Sequence, residues 1–221
     1  MELFSYLLGK KSGGGGGGAD LSKYFEPTIS AVANSDDSGI MHIVKTIPET
    51  TKVQGNDLYY AFSEFKGTTI PLIDTSNVIG MSATFNECHN LTTIPLLDMS
   101  NVQSTATMFK NCTSLTTIPL INTQNVTNMN SMFYGCTNLT TVPLLNTAKT
   151  TGMNSLFSGC PNLTDESLDN ILQMCMNSAV TQTNRKKLTN IGFTAEDYPV
   201  SKLETLPHYQ EFLSSGWIVG Y

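Results

Sequence analysis

Four columns of residues recur along this chain at a fixed step of 24, and that period decides what the chain can fold into. Phe85, Phe109, Phe133 and Phe157 form one column, and Cys88, Cys112, Cys136 and Cys160 another. Leu91, Leu115, Leu139 and Leu163 form a third, and the pairs Ile70-Pro71, Ile94-Pro95, Ile118-Pro119 and Val142-Pro143 a fourth. A degenerate rung precedes them: Ile47-Pro48 lies 23 residues before Ile70, and Leu58-Tyr-Tyr-Ala-Phe62 mimics Met81-Ser-Ala-Thr-Phe85. A unit this short cannot bury its own apolar face, whereas stacked units share one continuous core.

Within a unit, Leu-Thr-Thr-Ile-Pro-Leu reads as a short extended run, with Ile94 and Leu96 alternating around Pro95. It is expected to be the parallel strand of each coil, stacked on its neighbours about 4.8 Å apart. Proline cannot donate to the ladder, so it marks a strand edge or a bend. Val126, Met129, Met132 and Phe133 fall at helical spacing and predict a short helical or 3₁₀ turn on the opposite side. Asn77, Asn101 and Asn125 recur just before it, where stacked amides cap the turn and bond along the ladder. The expected fold is therefore an α/β solenoid, a right-handed coil of short parallel strands and short helical turns. Thr105 departs from the column of Met81, Met129 and Met153, Lys149 from the asparagine column, and Phe65 from the cysteine column.

Composition narrows function. Charged residues are 14% of the chain and the net charge is −6, so the polar surface rests on Thr, Ser and Asn. The longest run of Lys or Arg is three, Arg185-Lys186-Lys187, which argues against nucleic acid and anionic membranes, both of which need a basic face. No stretch approaches the ~20 apolar residues of a membrane span. The start, Met1-Glu-Leu-Phe-Ser-Tyr-Leu-Leu-Gly-Lys-Lys11, has acid first and lysines last, the reverse of a signal peptide. Synthesis in the cytoplasm without classical export is expected.

The chain divides into four parts. Residues 1–18 are a docking peptide and glycine linker, with Gly13–Gly18 too poor in side chains to bury anything. Leu3, Phe4, Leu7 and Leu8 share one stripe at helical spacing, and a helix so short needs a partner to fold against. Residues 19–67 form an N-terminal cap with the degenerate rung, 68–163 the solenoid, and 164–221 a C-terminal cap. In that cap a first helix follows the N-cap Thr164, with Asp165 and Glu166 at the positive end of its dipole. Leu168, Ile171, Leu172, Met174 and Cys175 supply its buried face. A second helix is expected near Val200–Leu213, and Gly216–Tyr221 as a final strand or tail on the cap.

The repeats resemble the BspA-like leucine-rich repeats, of the variety Met-Phe-x-x-Cys-x-x-Leu-Thr-x-x-Pro-x-Leu-Asp-Thr-Ser-Asn-Val-x-x-Met. The pattern appears here as Met132-Phe133-Tyr-Gly-Cys136-Thr-Asn-Leu139-Thr-Thr-Val-Pro143 and as Leu72-Ile-Asp74-Thr75-Ser76-Asn77-Val78-Ile-Gly-Met81. The likeness is close over 68–163 and loose over 43–67. It implies a surface adhesin or a component of a phage or prophage virion, with a binding role and no named ligand. The short apolar start followed by a glycine run is also similar to the N-termini of repeat proteins in phages of gut Firmicutes.

Candidate chemistry reduces to surface. The cysteine column reads as buried core thiols, because zinc sites pair ligands two to four residues apart. His42, His89 and His208 sit in no catalytic or metal-ligand pattern, and His89 occupies an outward column with Thr113, Thr137 and Pro161. No phosphate loop, nucleophile elbow or zinc-protease motif occurs. Asp74 and Asp98, continued by Asn122 and Asn146, read as turn residues in preference to a Ca²⁺ site. The chain is expected to be no enzyme and to hold no metal or cofactor. On the strand face, twofold alternation points Thr69, Thr93, Thr117 and Thr141 outward together with Ile73, Leu97, Ile121 and Leu145. A register one residue different would turn the second column inward. The reading is a non-catalytic binding protein of a virion tail or capsid. Its residues 1–18 dock to a virion structural protein, and the solenoid faces a bacterial surface protein or glycan. A bacterial cell-surface adhesin is the alternative, and self-association is left open.

Overall fold

The computed structural model describes residues 33–35, 41–43, 56–65, 67–70, 73–181 and 186–220. The degenerate Ile47-Pro48, the N-terminal apolar stripe and the glycine run lie outside the described residues. Two short strands, β1 (Ala33–Ser35) and β2 (Met41–Ile43), pair antiparallel with Asn34 opposite His42.

The 24-residue units stack, but the expected leucine-rich-repeat α/β solenoid is not what forms. Among the described residues of the repeats there is no strand and no helix; the sheet-type pairing between neighbouring units is limited to isolated parallel bridges. One series of bridges runs Asp57–Gly80–Ser104–Asn128–Gly152, and a separate one joins Thr117 to Thr141. Two physical causes separate the structure from the expectation.

The first is the proline in every unit. Leu91, Ile94 and Leu97 are buried, as are Leu115, Ile118 and Ile121, and Leu139, Val142 and Leu145. Inward positions therefore recur every third residue. That is the period of a polyproline-type chain, which has no internal hydrogen bonds, and not the twofold period of a strand.

The second is a left-handed residue where a helix would need to continue. Ala83, Thr107, Ser131 and Ser155 have φ of 54–55°, and four residues on Glu87, Asn111, Gly135 and Gly159 have φ of 60–73°. Such residues interrupt i→i−4 bonding, so the segment closes as successive tight turns: Asn86 N–H donates to Ala83 O and Cys88 N–H to Phe85 O, at 3.1 and 3.3 Å. The alternate N–H groups are left for the next unit. Met81, Ala83, Phe85 and Glu87 donate to the carbonyls of Ser104, Ala106, Met108 and Lys110 at 2.7–2.9 Å. This ribbon of turns is what stacks. It places one N–H in two between units and so satisfies the buried backbone without a sheet.

Side chains reinforce the stack. The rings of Phe62, Phe85, Phe109, Phe133 and Phe157 follow one another with centroids 5.4–5.8 Å apart. The last three steps of that column are within 10° of parallel. That separation exceeds van der Waals contact of about 3.5–4 Å, so the rings are slipped, the favoured arrangement of aromatic pairs. Asn101 and Asn125 donate from Nδ2 to Ser76 O and Ser100 O of the preceding unit, at 2.7 and 2.6 Å. Lys149, the departure from this column, donates to Asn125 Oδ1 at 2.6 Å.

The C-terminal region closes the stack. Helix α1 (Asp165–Asn177) starts at Thr164, whose side chain accepts from Ser167 N–H, and buries Leu168, Ile171, Leu172, Met174 and Cys175. Helix α2 (Leu188–Ile191) stands where a further unit would stand: the carbonyls of Asn190 and Ile191 accept from Ser155 and Phe157 N–H at 2.6 and 2.8 Å. Gly192, at φ 104°, is pressed so close that an added Cβ would lie 2.3 Å from Ser158 N. The second helix expected over Val200–Leu213 is two, α3 (Val200–Leu203) and α4 (Tyr209–Ser214). Pro207 separates them, since proline lacks the N–H and disfavours helix in the residue before it. The tail packs back as a parallel bridge from Ile218 to Lys187, burying Trp217 and Val219.

Candidate binding face

The threefold period of the extended segment sorts its residues onto three sides. Leu91, Ile94 and Leu97 face the core, Thr92 and Pro95 share a second side, and Thr93 and Leu96 a third. Exposure agrees. Leu96, Leu120 and Leu144 are 62%, 66% and 41% exposed, against 2%, 2% and 1% for Leu97, Ile121 and Leu145.

This corrects the face expected from alternation. Thr69, Thr93, Thr117 and Thr141 are exposed as expected, but Leu97, Ile121 and Leu145, like Ile73, are core. The reason is the period: in a chain that turns every third residue, the position two after an inward isoleucine or valine is exposed and the position three after it is buried. The aliphatic residues that do reach the surface, Leu96, Leu120 and Leu144, were legible from the three-step spacing Leu91–Ile94–Leu97 around a proline. The docking residues Leu3, Phe4, Leu7 and Leu8 lie outside the described residues.

The two threonine columns differ in chemistry at Thr92 and Thr140. The hydroxyls of Thr92 and Thr140 donate to the carbonyls of Thr68 and Thr116 in the preceding unit, both at 3.1 Å. Within the described residues, no hydrogen bond engages the hydroxyls of Thr93, Thr117 and Thr141. The face thus presents a file of unspent hydroxyls beside a file of exposed leucines, one of each per unit. No charged residue lies in 92–96, 116–120 or 140–144.

Other polar columns of the repeats are committed to the fold. Oδ1 of Asp74, Asp98, Asn122 and Asn146 accepts from the backbone N–H two residues on, at 2.9–3.1 Å, so this column does close turns. All five cysteines are free and buried. Cys88, Cys112, Cys136 and Cys160 donate their thiols to Phe62, Phe85, Phe109 and Phe133 carbonyls at 3.0–3.1 Å. Contact with the Cys88 thiol and burial push Cys112 far up, burial does the same to Cys136, and burial raises Cys160 to about 12. Such thiols are poor nucleophiles and poor ligands at neutral pH.

A polar pair that sequence spacing did not reveal joins the cap. His208 Nδ1 lies 2.7 Å from Asp169 Oδ2, and His208 N–H donates to Asp169 Oδ1 at 3.0 Å. Gln173 donates to the same carboxylate at 3.2 Å, so the pair fastens α4 to α1. Their separation of 39 positions left no local signal. His89 is exposed, in the outward column assigned to it. Among the described residues no helix is long and apolar enough to cross a membrane.

Set against known proteins, residues 53–171 match a family model described as "Mycoplasma protein of unknown function, DUF285". The match takes in most of the stacked units and the start of α1, more than half of the chain. Neither a curated protein nor a solved structure matches the chain.

Proposed function

We propose that this chain, which belongs to the DUF285 family, is a non-catalytic binding protein that uses the Thr93/Leu96 face as its contact surface. The observation that carries the reading is the contrast between columns. The cysteine, asparagine and aspartate columns, with Thr92 and Thr140, spend their polar groups on the fold, whereas Thr93, Thr117, Thr141 and Leu96, Leu120, Leu144 do not. Exposed, regularly placed side chains with no fold to serve are what a recognition surface requires.

The setting proposed is a phage virion, tail or capsid, with residues 1–18 as the attachment and the stacked units turned to a bacterial surface. Its support is the likeness of the repeats to BspA-like leucine-rich repeats and the apolar stripe Leu3, Phe4, Leu7, Leu8 ahead of a glycine run. A bacterial cell-surface adhesin is the second reading. It is favoured by the family's description, which names a bacterium and no phage.

Mass spectrometry of purified particles, with labelled antibody to locate the protein, separates the two. Tail or capsid label supports the virion reading, and label on the cell envelope with none on particles overturns it in favour of the adhesin. In the virion reading, a chain lacking residues 1–18 stays folded and fails to incorporate; incorporation of that truncated chain refutes the attachment.

A further inference from the structure

We propose that the ligand of this face is a linear, uncharged, polyhydroxylated polymer, a neutral glycan lying along the stacking axis. The inference rests on the binding reading above and names its ligand class. Three features of the face decide it.

The first is the row of hydroxyls on Thr93, Thr117 and Thr141, which find no partner within the described residues. A wholly apolar partner would bury these groups unmatched, at a cost comparable to what half a leucine gains by leaving water. The ligand must therefore return a hydrogen-bonding group at each unit.

The second is the absence of charge across 92–96, 116–120 and 140–144 in a chain of net charge −6. An acidic polymer meets repulsion from the chain as a whole, and a basic one finds no carboxylate on the face to pair with.

The third is periodicity. The phenylalanine rings of successive units stand 5.4–5.8 Å apart, whereas an extended peptide repeats its outward groups every two residues, about 6.6 Å. A peptide laid along the axis drifts steadily out of register along the face. A sugar chain carries hydroxyls on several sides of each ring and meets a threonine at every unit. The C–H faces of its rings cover Leu96, Leu120 and Leu144. The face carries no aromatic residue, so each unit contributes weakly and affinity accumulates over several units.

The test uses the full chain with immobilised neutral linear glucans of increasing length, and a polyuronate of matched length as the acidic control. The expected result is binding that strengthens with glucan length up to the span of the face and no binding of the polyuronate. Thr117→Val, which keeps the shape and removes the hydroxyl at an exposed position, is expected to weaken it about tenfold. Binding of the polyuronate in preference, or unchanged binding by Thr117→Val, overturns the inference. A second measurement covers sugars other than glucose: binding to host bacteria before and after treatment of the cells with protease or periodate. Loss on periodate oxidation of the cell glycans, with survival of protease, supports the inference. Loss on protease alone overturns it while leaving the binding face standing. No binding to cells or glycans by the wild-type chain brings down both.

Discussion

Removing one ring from the phenylalanine column tests how the units hold together. Phe109 is fully buried between Phe85 and Phe133, at centroid distances of 5.5 and 5.8 Å. Truncation to alanine costs about 3–5 kcal/mol in transfer and cavity terms. It also removes two slipped ring contacts worth about 0.5–1.5 kcal/mol each. Together these approach the whole stability of a typical domain, about 5–15 kcal/mol, so Phe109→Ala is expected to be barely folded. Phe109→Leu isolates the stacking, because it keeps most of the apolar volume and loses only the ring contacts; its expected cost is about 1–3 kcal/mol. Urea unfolding followed by the fluorescence of Trp217, the sole and buried tryptophan, gives the midpoint at the cap. Hydrogen exchange of the inter-unit amides, such as Phe85 and Phe133 N–H, gives the same quantity within the stack. A double-mutant cycle with Phe133→Leu is expected to show coupling of about 0.5–1.5 kcal/mol. Phe109→Leu within about 0.5 kcal/mol of wild type, the ordinary scatter of a neutral substitution, would refute the claim that ring contacts couple the units.

Three further outcomes follow from the geometry. Cys160 ionises near 9 when unfolded but only at about 12 in the buried column. The neutral thiol therefore stabilises the fold fully below pH 9, and that stability is lost as pH rises from 9 through about 12. Urea midpoints taken from pH 7 to 11 are expected to fall above pH 9, and to fall less in Cys160→Ala; identical curves would contradict the assignment. Asn111→Gly, at φ 60° in a column that already holds Gly135 and Gly159, is expected to stabilise the chain by up to about 1 kcal/mol, and a lower melting temperature would count against the strain argument. Gly192→Ala drives a Cβ into Ser158 N, so α2 is expected to lose its place on the last unit. Faster exchange of the Ser155 and Phe157 amides would report that loss, and unchanged exchange would show the contact to be slack.

The period of 24 made the stacking legible, because every column that recurs in sequence recurs in space: phenylalanine on phenylalanine, asparagine beneath asparagine. Thr164 and its helix were equally plain, since a cap, a first-turn acid pair and an apolar stripe are local signals. The secondary structure inside each unit was not. Twofold alternation assigned Leu97, Ile121 and Leu145 to the surface, where a threefold period around Pro95, Pro119 and Pro143 puts Leu96, Leu120 and Leu144. Helical spacing of Val126, Met129 and Met132 concealed a left-handed Ser131, which the sequence does not announce because serine has no preference for that conformation. Gly135 and Gly159, in the column four residues on, were the visible sign that the segment bends leftward.

The central claim, that Thr93/Leu96 and its equivalents are the contact surface, is tested most directly by measuring attachment of the labelled full chain to host bacterial cells. Leu120→Asp places a charge at the middle of the face, on a side chain 66% exposed, and is expected to abolish attachment without unfolding the chain. Tyr134→Ser, on the exposed turn ribbon beside Lys110, is expected to bind as wild type. Leu120→Asp attaching as tightly as wild type would contradict the account.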